Sequence, residues 1–135
     1  MSSGNEKKVK KLKPREANHL MSHHIFQTVL NGRPVTVDLG WDRPLQYVFM
    51  TVSSQDLKNH PHDDSSPYLY SNLDDENLPF QGTQSVEYFL DKLTELGTSI
   101  PSIMLKSVQN DRDQDVGNKT VAYQADGSFH VLFGD

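Results

Sequence analysis

Residues 24–39 read HIFQTVLNGRPVTVDL, two runs rich in β-branched and aromatic residues joined by Asn31-Gly32. An Asn-Gly pair between such runs is the strongest short-range hairpin signal, because a type I′ turn needs positive φ at both central residues. In the second run Val35, Val37 and Leu39 alternate with polar residues, which indicates one buried face and one wet face. The stretch therefore predicts an antiparallel hairpin.

Further strand patterns lie on either side of a helical region. Residues 45–52, LQYVFMTV, are apolar at both odd and even positions apart from two residues. This pattern is typical of a strand covered on both faces. Near the C-terminus, residues 120–124 and 128–133 flank Ala125-Asp126-Gly127, a second primed-turn hairpin signal. These patterns predict a three-stranded meander early in the chain and a hairpin at its end.

The region between the strand patterns predicts two helices. Residues 85–96, SVEYFLDKLTEL, place apolar side chains on one stripe at helical spacing, with Ser85 or Thr83 as N-cap and Gly97 as the terminating residue. A second apolar face begins at Pro101 and ends near Arg112. The order β-β-β-loop-α-α-β-β predicts an α+β fold, with a single antiparallel sheet of about five strands and two helices packed on one face.

The charge of the chain divides it into a basic tail and an acidic body. Residues 1–20 carry six cationic and two acidic side chains, a net charge of +4, whereas residues 21–135 carry −9. The tail has too few apolar residues to offset the entropy lost on ordering, so we expect a disordered tail at 1–20 and a single domain at 21–135. Met21 directly precedes the first strand pattern, so the sequence leaves open whether Met1 or Met21 is the native start.

Composition excludes several classes of protein and of chemistry. The chain has 135 residues and no cysteine, which excludes disulfides, thiolate metal sites and cysteine nucleophiles. The mean hydropathy is −0.63 and no apolar run is long enough for a membrane span, so we expect a cytoplasmic protein. No phosphate-binding loop, nucleophile elbow or zinc-protease motif occurs. The prediction leans against an enzyme and against a cofactor.

Two segments are candidates for an interaction surface. Trp41, Asp42 and Arg43 follow a glycine, and residues 53–83 form a long loop in which Tyr68 and Tyr70 supply a short strand or a packed turn. Trp, Tyr and Arg dominate interface hot spots, so these five residues are predicted to contact a partner in one shared patch. In the alternative, Trp41 folds back to close one end of the sheet while Asp42 caps the turn and pairs with Arg43.

One stretch of the long loop is a candidate metal site. His60, His62, Asp63 and Asp64 offer imidazole and carboxylate ligands that zinc, manganese, iron or nickel accepts. The sequence indicates no distant ligand for such a site, although His130 and the pair His23-His24 are available as further imidazoles. A solvated Pro/Ser turn is the competing interpretation.

The favoured function is a small non-enzymatic binding or regulatory protein that acts through a protein partner. One alternative is a metal-dependent enzyme using the His60–Asp64 loop. A second is an acidic protein that imitates DNA and inhibits a nucleic-acid-binding protein. Nucleic-acid binding is not expected, except through the Lys7–Arg15 tail if that tail is more than a solvated leader, and a homodimer is compatible with an exposed strand edge. The stretches GWDRPLQ (40–46) and YSNLDD (70–75) give a general likeness to small bacterial proteins, which implies no activity.

Overall fold

The computed structural model describes residues 20–54 and 68–134. These residues form one sheet and two main helices, which confirms the predicted α+β class. The elements are β1 (Met21–Leu30), β2 (Arg33–Asp42), β3 (Tyr47–Ser54), β4 (Tyr68–Ser71), a 3₁₀ turn (Asn72–Asp74), α1 (Val86–Leu96), α2 (Ser102–Gln114), β5 (Lys119–Tyr123) and β6 (Phe129–Phe133).

The sheet differs from the prediction in strand number and in direction. It has six strands in the order β4-β3-β2-β1-β5-β6, and β1 and β5 run parallel, so the expectation of about five antiparallel strands was wrong. The meander leaves one edge of β1 free because β2 occupies the other. The chain returns from α2 to that free edge, and a helical crossover of this kind delivers a strand parallel to its neighbour.

The two hairpin turns behave differently. Asn31 and Gly32 have φ of 52° and 79°, as a type I′ turn requires. At the second turn Gly127 is left-handed, and its N–H donates to the Gln124 carbonyl at 2.9 Å. This is a three-residue loop ending in a left-handed glycine, so the hairpin is present but the primed turn predicted for it is not.

Part of the predicted long loop is ordered structure. Tyr68–Ser71 forms β4 and pairs with β3, and the 3₁₀ turn follows directly. The His60–Asp64 stretch and the Lys7–Arg15 tail lie outside the described residues. The proposed division at residue 20 therefore stays a prediction.

The helices begin and end where the sequence indicates. The Ser85 side chain accepts a hydrogen bond from the Tyr88 N–H, and Gly97 ends α1 in the left-handed conformation. The second helix extends to Gln114, where Asp115 takes the left-handed position. Both helices contribute to a single hydrophobic core, and α2 contacts β1 and β2.

The helices cover only one face of the sheet in the described part of the chain. Alternate residues of each central strand are fully buried toward them, among them Val37 in β2 and Met50 in β3. Phe49 lies on the opposite face, where side chains of the sheet surround it and no described helix packs against it. The prediction that β3 is covered by a layer on each face was therefore wrong. We call this opposite surface the open face, and it carries the candidate site.

Candidate binding site

A cavity of about 360 Å³ lies on the open face at the β4 end of the sheet. Its floor is built by alternation along three adjacent strands, with His23 from β1, Asp38 from β2 and Phe49 from β3. Three large side chains at the rim stay exposed: Leu45 at 60%, Leu73 at 55% and Tyr68 at 47%. The cavity is therefore concave, largely apolar and open to solvent.

His23 and Asp38 form a side-chain pair inside this cavity. The His23 Nδ1 lies 2.9 Å and 3.1 Å from the two side-chain oxygens of Asp38 and donates its N–H to them. The Phe49 ring packs edge-on against the imidazole at 5.3 Å between centroids. The other ring nitrogen, Nε2, is buried and has no hydrogen-bond partner among the described residues. The pair thus fixes the orientation of the imidazole and leaves one nitrogen unused.

Gly40 makes this packing possible because it lies directly opposite His23 in the β1–β2 ladder. A Cβ at this position would lie 1.9 Å from the Ser22 carbonyl oxygen and 2.8 Å from Phe49 Cζ. The first neighbour is backbone and cannot move aside cheaply. The cavity floor therefore depends on a glycine here.

Replacing Gly40 with alanine is expected to lower the free energy of unfolding by about 1–3 kcal/mol, the usual cost of overpacking. Urea denaturation followed by circular dichroism measures the change. Gln27→Ala on the exposed surface of β1 is the control and should stay within about 0.5 kcal/mol of the parent. A stability equal to the parent's in the Gly40 variant would show that the close approach is absent.

The electrostatics of the cavity come from carboxylates. Asp38 and Asp42 both line it, and within residues 20–54 and 68–134 no Lys or Arg does. Asp42 Oδ1 accepts a hydrogen bond from the Leu45 N–H at 2.9 Å, which caps the turn between β2 and β3. Burial raises the pKa of the Tyr47 hydroxyl, and the Asp42 charge raises it further. The cavity is therefore lined by aromatic rings and carries negative charge from its carboxylates.

Trp41 lies in the hydrophobic core, with only 2% of its surface exposed. Its Nε1–H donates to Asp115 Oδ1 at 2.8 Å, and Gln46 Nε2 donates to the same oxygen at 2.9 Å. Arg43 approaches the other oxygen of Asp115 at 3.8 Å, so its ion-pair partner is Asp115 and not Asp42 as the alternative supposed. The pKa of Asp115 is lowered by these hydrogen bonds. The placement of Trp41 agrees with the alternative in which it closes the end of the sheet.

Tyr68 and Tyr70 do not share a surface. The register shifts between Val52 and Ser53, so Tyr68 joins the cavity rim while Tyr70 packs against Phe89 in the core. The Tyr70 hydroxyl donates to Asp75 at 2.6 Å. Burial raises the pKa of Tyr70, and the bond to Asp75 raises it further. The shared patch predicted for these two tyrosines and Trp41 is therefore not formed.

The described residues contain no group of three His, Asp or Glu side chains placed to hold a metal ion. His130 lies on exposed β6, where its partner in the ladder is Ala122. His60, His62, Asp63 and Asp64 fall outside the described ranges, so the metal prediction remains a prediction.

Sequence reasoning missed a buried polar cluster between the sheet and α2. His24 Nε2 lies 2.5 Å from Asp111 Oδ2, and His24 Nδ1 lies 2.8 Å from the Tyr123 hydroxyl. Lys119 Nζ donates to the second oxygen of Asp111 at 2.9 Å. Both His24 and Asp111 are completely buried. This cluster fixes β1 and β5 to the helical layer and lies on the face opposite the cavity.

Fold and site together define an α+β protein in which the described helices cover one face of a mixed sheet and an acidic cavity lies on the open face. No family model matches the sequence, and neither a curated protein nor a solved structure matches it significantly. Within residues 20–54 and 68–134, neither helix has the length and apolar character needed to cross a membrane.

Proposed function

We propose that this chain is a non-catalytic binding protein whose open face holds a basic side chain presented by a partner protein. The cavity carries the proposal, because it combines the carboxylates of Asp38 and Asp42 with the rings of Tyr47 and Phe49, and the described residues that line it include no Lys or Arg. A long cationic side chain matches this chemistry. Its aliphatic stem packs on the rings while its charged end reaches the carboxylates.

The rim supports a protein partner rather than a free small cation. Leu45, Leu73 and Tyr68 are all large and exposed around the cavity mouth. Exposed apolar side chains grouped around a pocket are typical of protein-binding surfaces, where they exclude water from a central charged contact. We expect the partner to present an Arg or Lys within an apolar surface of its own.

Long-range charge favours the same partner. Residues 21–135 carry 16 acidic and 7 basic side chains. A field of this sign attracts a basic surface and raises its rate of association, with a dependence on ionic strength. The proposed contact is therefore supported both inside the cavity and at a distance.

The geometry of the His23–Asp38 pair supports binding over catalysis. A general base must come within hydrogen-bond reach of the proton that it removes. The Nε2 of His23 is buried from solvent and has no hydrogen-bond partner among the described residues, so a substrate in the cavity would not reach it without a rearrangement. A metal enzyme using His60 to Asp64 stays a prediction.

The DNA-imitating inhibitor also stays a prediction, and the observed carboxylates favour it less. Several acidic side chains are engaged inside the molecule: Asp111 is fully buried, and Asp75 accepts from two tyrosine hydroxyls. Imitation of a phosphate backbone needs carboxylates spread over an outer surface. The proposed cavity needs only two.

A guanidinium probe tests the proposal directly. N-acetyl-arginine methylamide, titrated into ¹⁵N-labelled protein, is expected to shift the amide signals of residues around the cavity. Asp38→Asn should weaken this binding roughly tenfold, which corresponds to about 1.4 kcal/mol. Asp91→Asn, an exposed carboxylate on α1, is the matched control and should leave the affinity unchanged.

Two results would contradict the basic-ligand proposal. One is a pattern of shifts spread evenly over the acidic surface, and the other is equal binding of N-acetyl-leucine methylamide. The protein nature of the partner has its own readout. A photo-crosslinking residue at Leu73 should capture a partner that Asp38→Asn no longer retains, whereas the same residue at Asp91 should capture none.

A further inference from the structure

The described part of the chain begins at Leu20, directly beside the acidic cavity. The Leu20 carbonyl accepts a hydrogen bond from the Arg43 N–H at 3.1 Å. The next residue, Met21, lines the cavity and lies opposite Asp42 in the β1–β2 ladder. Asp42 is one of the two cavity carboxylates. Residues 1–19 are therefore attached to the protein next to the proposed binding site.

A dense run of cations precedes this attachment point. Residues 10–15 read KKLKPR and contain four cationic side chains, no acidic side chain and one leucine. We call this stretch the basic segment. Glu16 is the one acidic residue between it and Leu20, whereas residues 21–135 carry 16 acidic and 7 basic side chains. The basic segment thus has the chemistry that the cavity is proposed to bind, long cationic side chains beside an apolar one.

The basic segment is attached closely enough to reach the cavity. Arg15 precedes Leu20 by five residues, and Lys13 precedes it by seven. An extended chain covers at most about 3.5 Å per residue, so these two residues can lie up to about 17 Å and about 25 Å from Leu20. The cavity floor spans three adjacent strands, and two strand spacings amount to about 10 Å. The connection is therefore long enough to turn back over the cavity.

We propose that the basic segment occupies the cavity of its own chain and competes there with the partner's basic side chain. This inference rests on the proposed function, because it assigns an internal competitor to the same site. Lys13 and Arg15 are the cations nearest the attachment point, and one of them takes the position of the partner's cation beside Asp38 and Asp42. Leu12 supplies an apolar contact for the exposed rim.

The attachment favours this occupant over one in solution. A short tether holds a ligand at an effective concentration on the order of millimolar, whereas a separate molecule reaches only its bulk concentration. A contact whose Kd lies below the effective concentration is then formed in most molecules. A cavity that is unoccupied in about a third to a tenth of the molecules raises the apparent Kd of an outside ligand about three- to tenfold. The partner must therefore displace the basic segment before it binds.

Competition with the arginine probe tests this occupancy. N-acetyl-arginine methylamide is titrated into the ¹⁵N-labelled full chain and into the double variant Lys13→Glu with Arg15→Glu. The cavity carboxylates repel the reversed charges, so the double variant should bind the probe about three to ten times more tightly than the parent. Lys7→Glu with Lys8→Glu is the matched control. It changes the net charge equally but lies outside the basic segment, and its affinity should stay within about twofold of the parent's.

A nitroxide label locates the basic segment without any added ligand. The chain has no cysteine, so Val9→Cys carries a maleimide nitroxide at a single position and keeps all four cations of the segment. In the labelled parent we expect broadening of the amide signals of Thr51 and Leu73, which both line the cavity. The charge reversals at residues 13 and 15 should remove most of this broadening, and those at residues 7 and 8 should retain it.

Equal probe affinity in the parent and the double variant, or broadening that the double variant retains, would overturn the proposal and favour a solvated leader. Equally strong broadening between nitroxide-labelled chains and separate ¹⁵N-labelled chains would also overturn it, because the segment would then enter the cavity of a second copy. Failure of the proposed function has a different result, since the probe would then bind neither the parent nor the double variant. The nitroxide measurement decides the present proposal in that case, because it needs no probe.

Discussion

Replacing Trp41 with alanine is expected to lower the free energy of unfolding by about 3–5 kcal/mol. The indole is among the largest side chains in the core and is only 2% exposed, so its removal leaves a large cavity. It also deletes the hydrogen bond to Asp115, which connects the end of β2 to the end of α2. Urea denaturation followed by far-UV circular dichroism is the measurement, because the chain has no other tryptophan to report by fluorescence.

Two variants separate the contributions to this effect. Trp41→Phe keeps most of the ring volume but loses the Nε1–H donor, and we expect a smaller cost because the indole is only partly replaced. Asp115→Asn keeps an acceptor and should cost about 1 kcal/mol or less. If Trp41→Ala lowers the free energy of unfolding by less than about 1 kcal/mol, the indole does not contribute to the core as described. The contact with a partner that the sequence predicted for Trp41 would then be favoured.

Local signals predicted the elements well because each depends on neighbouring residues alone. Asn31 and Gly32 define a turn through their own backbone conformations, and both have positive φ. Ser85 and Gly97 cap α1 through groups within one turn of the helix end. Such features need no knowledge of the rest of the chain.

The parallel pairing of β1 with β5 was beyond local reasoning. A hairpin signal shows which strands are neighbours in sequence, and it says nothing about which strand fills the other edge of β1. Ser22 of β1 pairs with Lys119 of β5, almost a hundred residues away. Which strand fills that edge depends on where the chain emerges from the two packed helices. That position is a property of the packed core and not of any short segment.

The candidate site could be predicted in part. A two-residue turn at Asn31-Gly32 fixes the register so that Asp38 faces Ile25, and His23 is then a diagonal neighbour of Asp38 on the same face. The proximity of His23 and Asp38 could therefore have been predicted from the turn and the register that it fixes. The separation of Tyr68 from Tyr70 was not accessible, because it results from a register shift that no turn residue marks.

The buried cluster around Asp111 gives the second large effect. Asp111→Ala is expected to cost about 3–5 kcal/mol, because it leaves the buried His24 and the Lys119 ammonium without their shared partner. Asp111→Asn keeps the shape and one acceptor and should cost less. Asp113→Ala, an exposed carboxylate two residues on in α2, is the matched control and should change stability by about 0.5 kcal/mol at most.

The same cluster makes a signed prediction about pH. Burial alone would raise the pKa of Asp111, but the hydrogen bonds from His24 and Lys119 outweigh burial and hold that pKa below the unfolded value of 3.8. A carboxyl group with a depressed folded pKa stabilises the fold above its unfolded pKa, and this contribution is lost as the pH falls through the folded value. The stability difference between the parent and Asp111→Asn should therefore be largest at pH 5 to 7 and shrink below about pH 4. Urea midpoints of both proteins across this range measure it, and a difference that grows in acid would mean that Asp111 is protonated in the native protein.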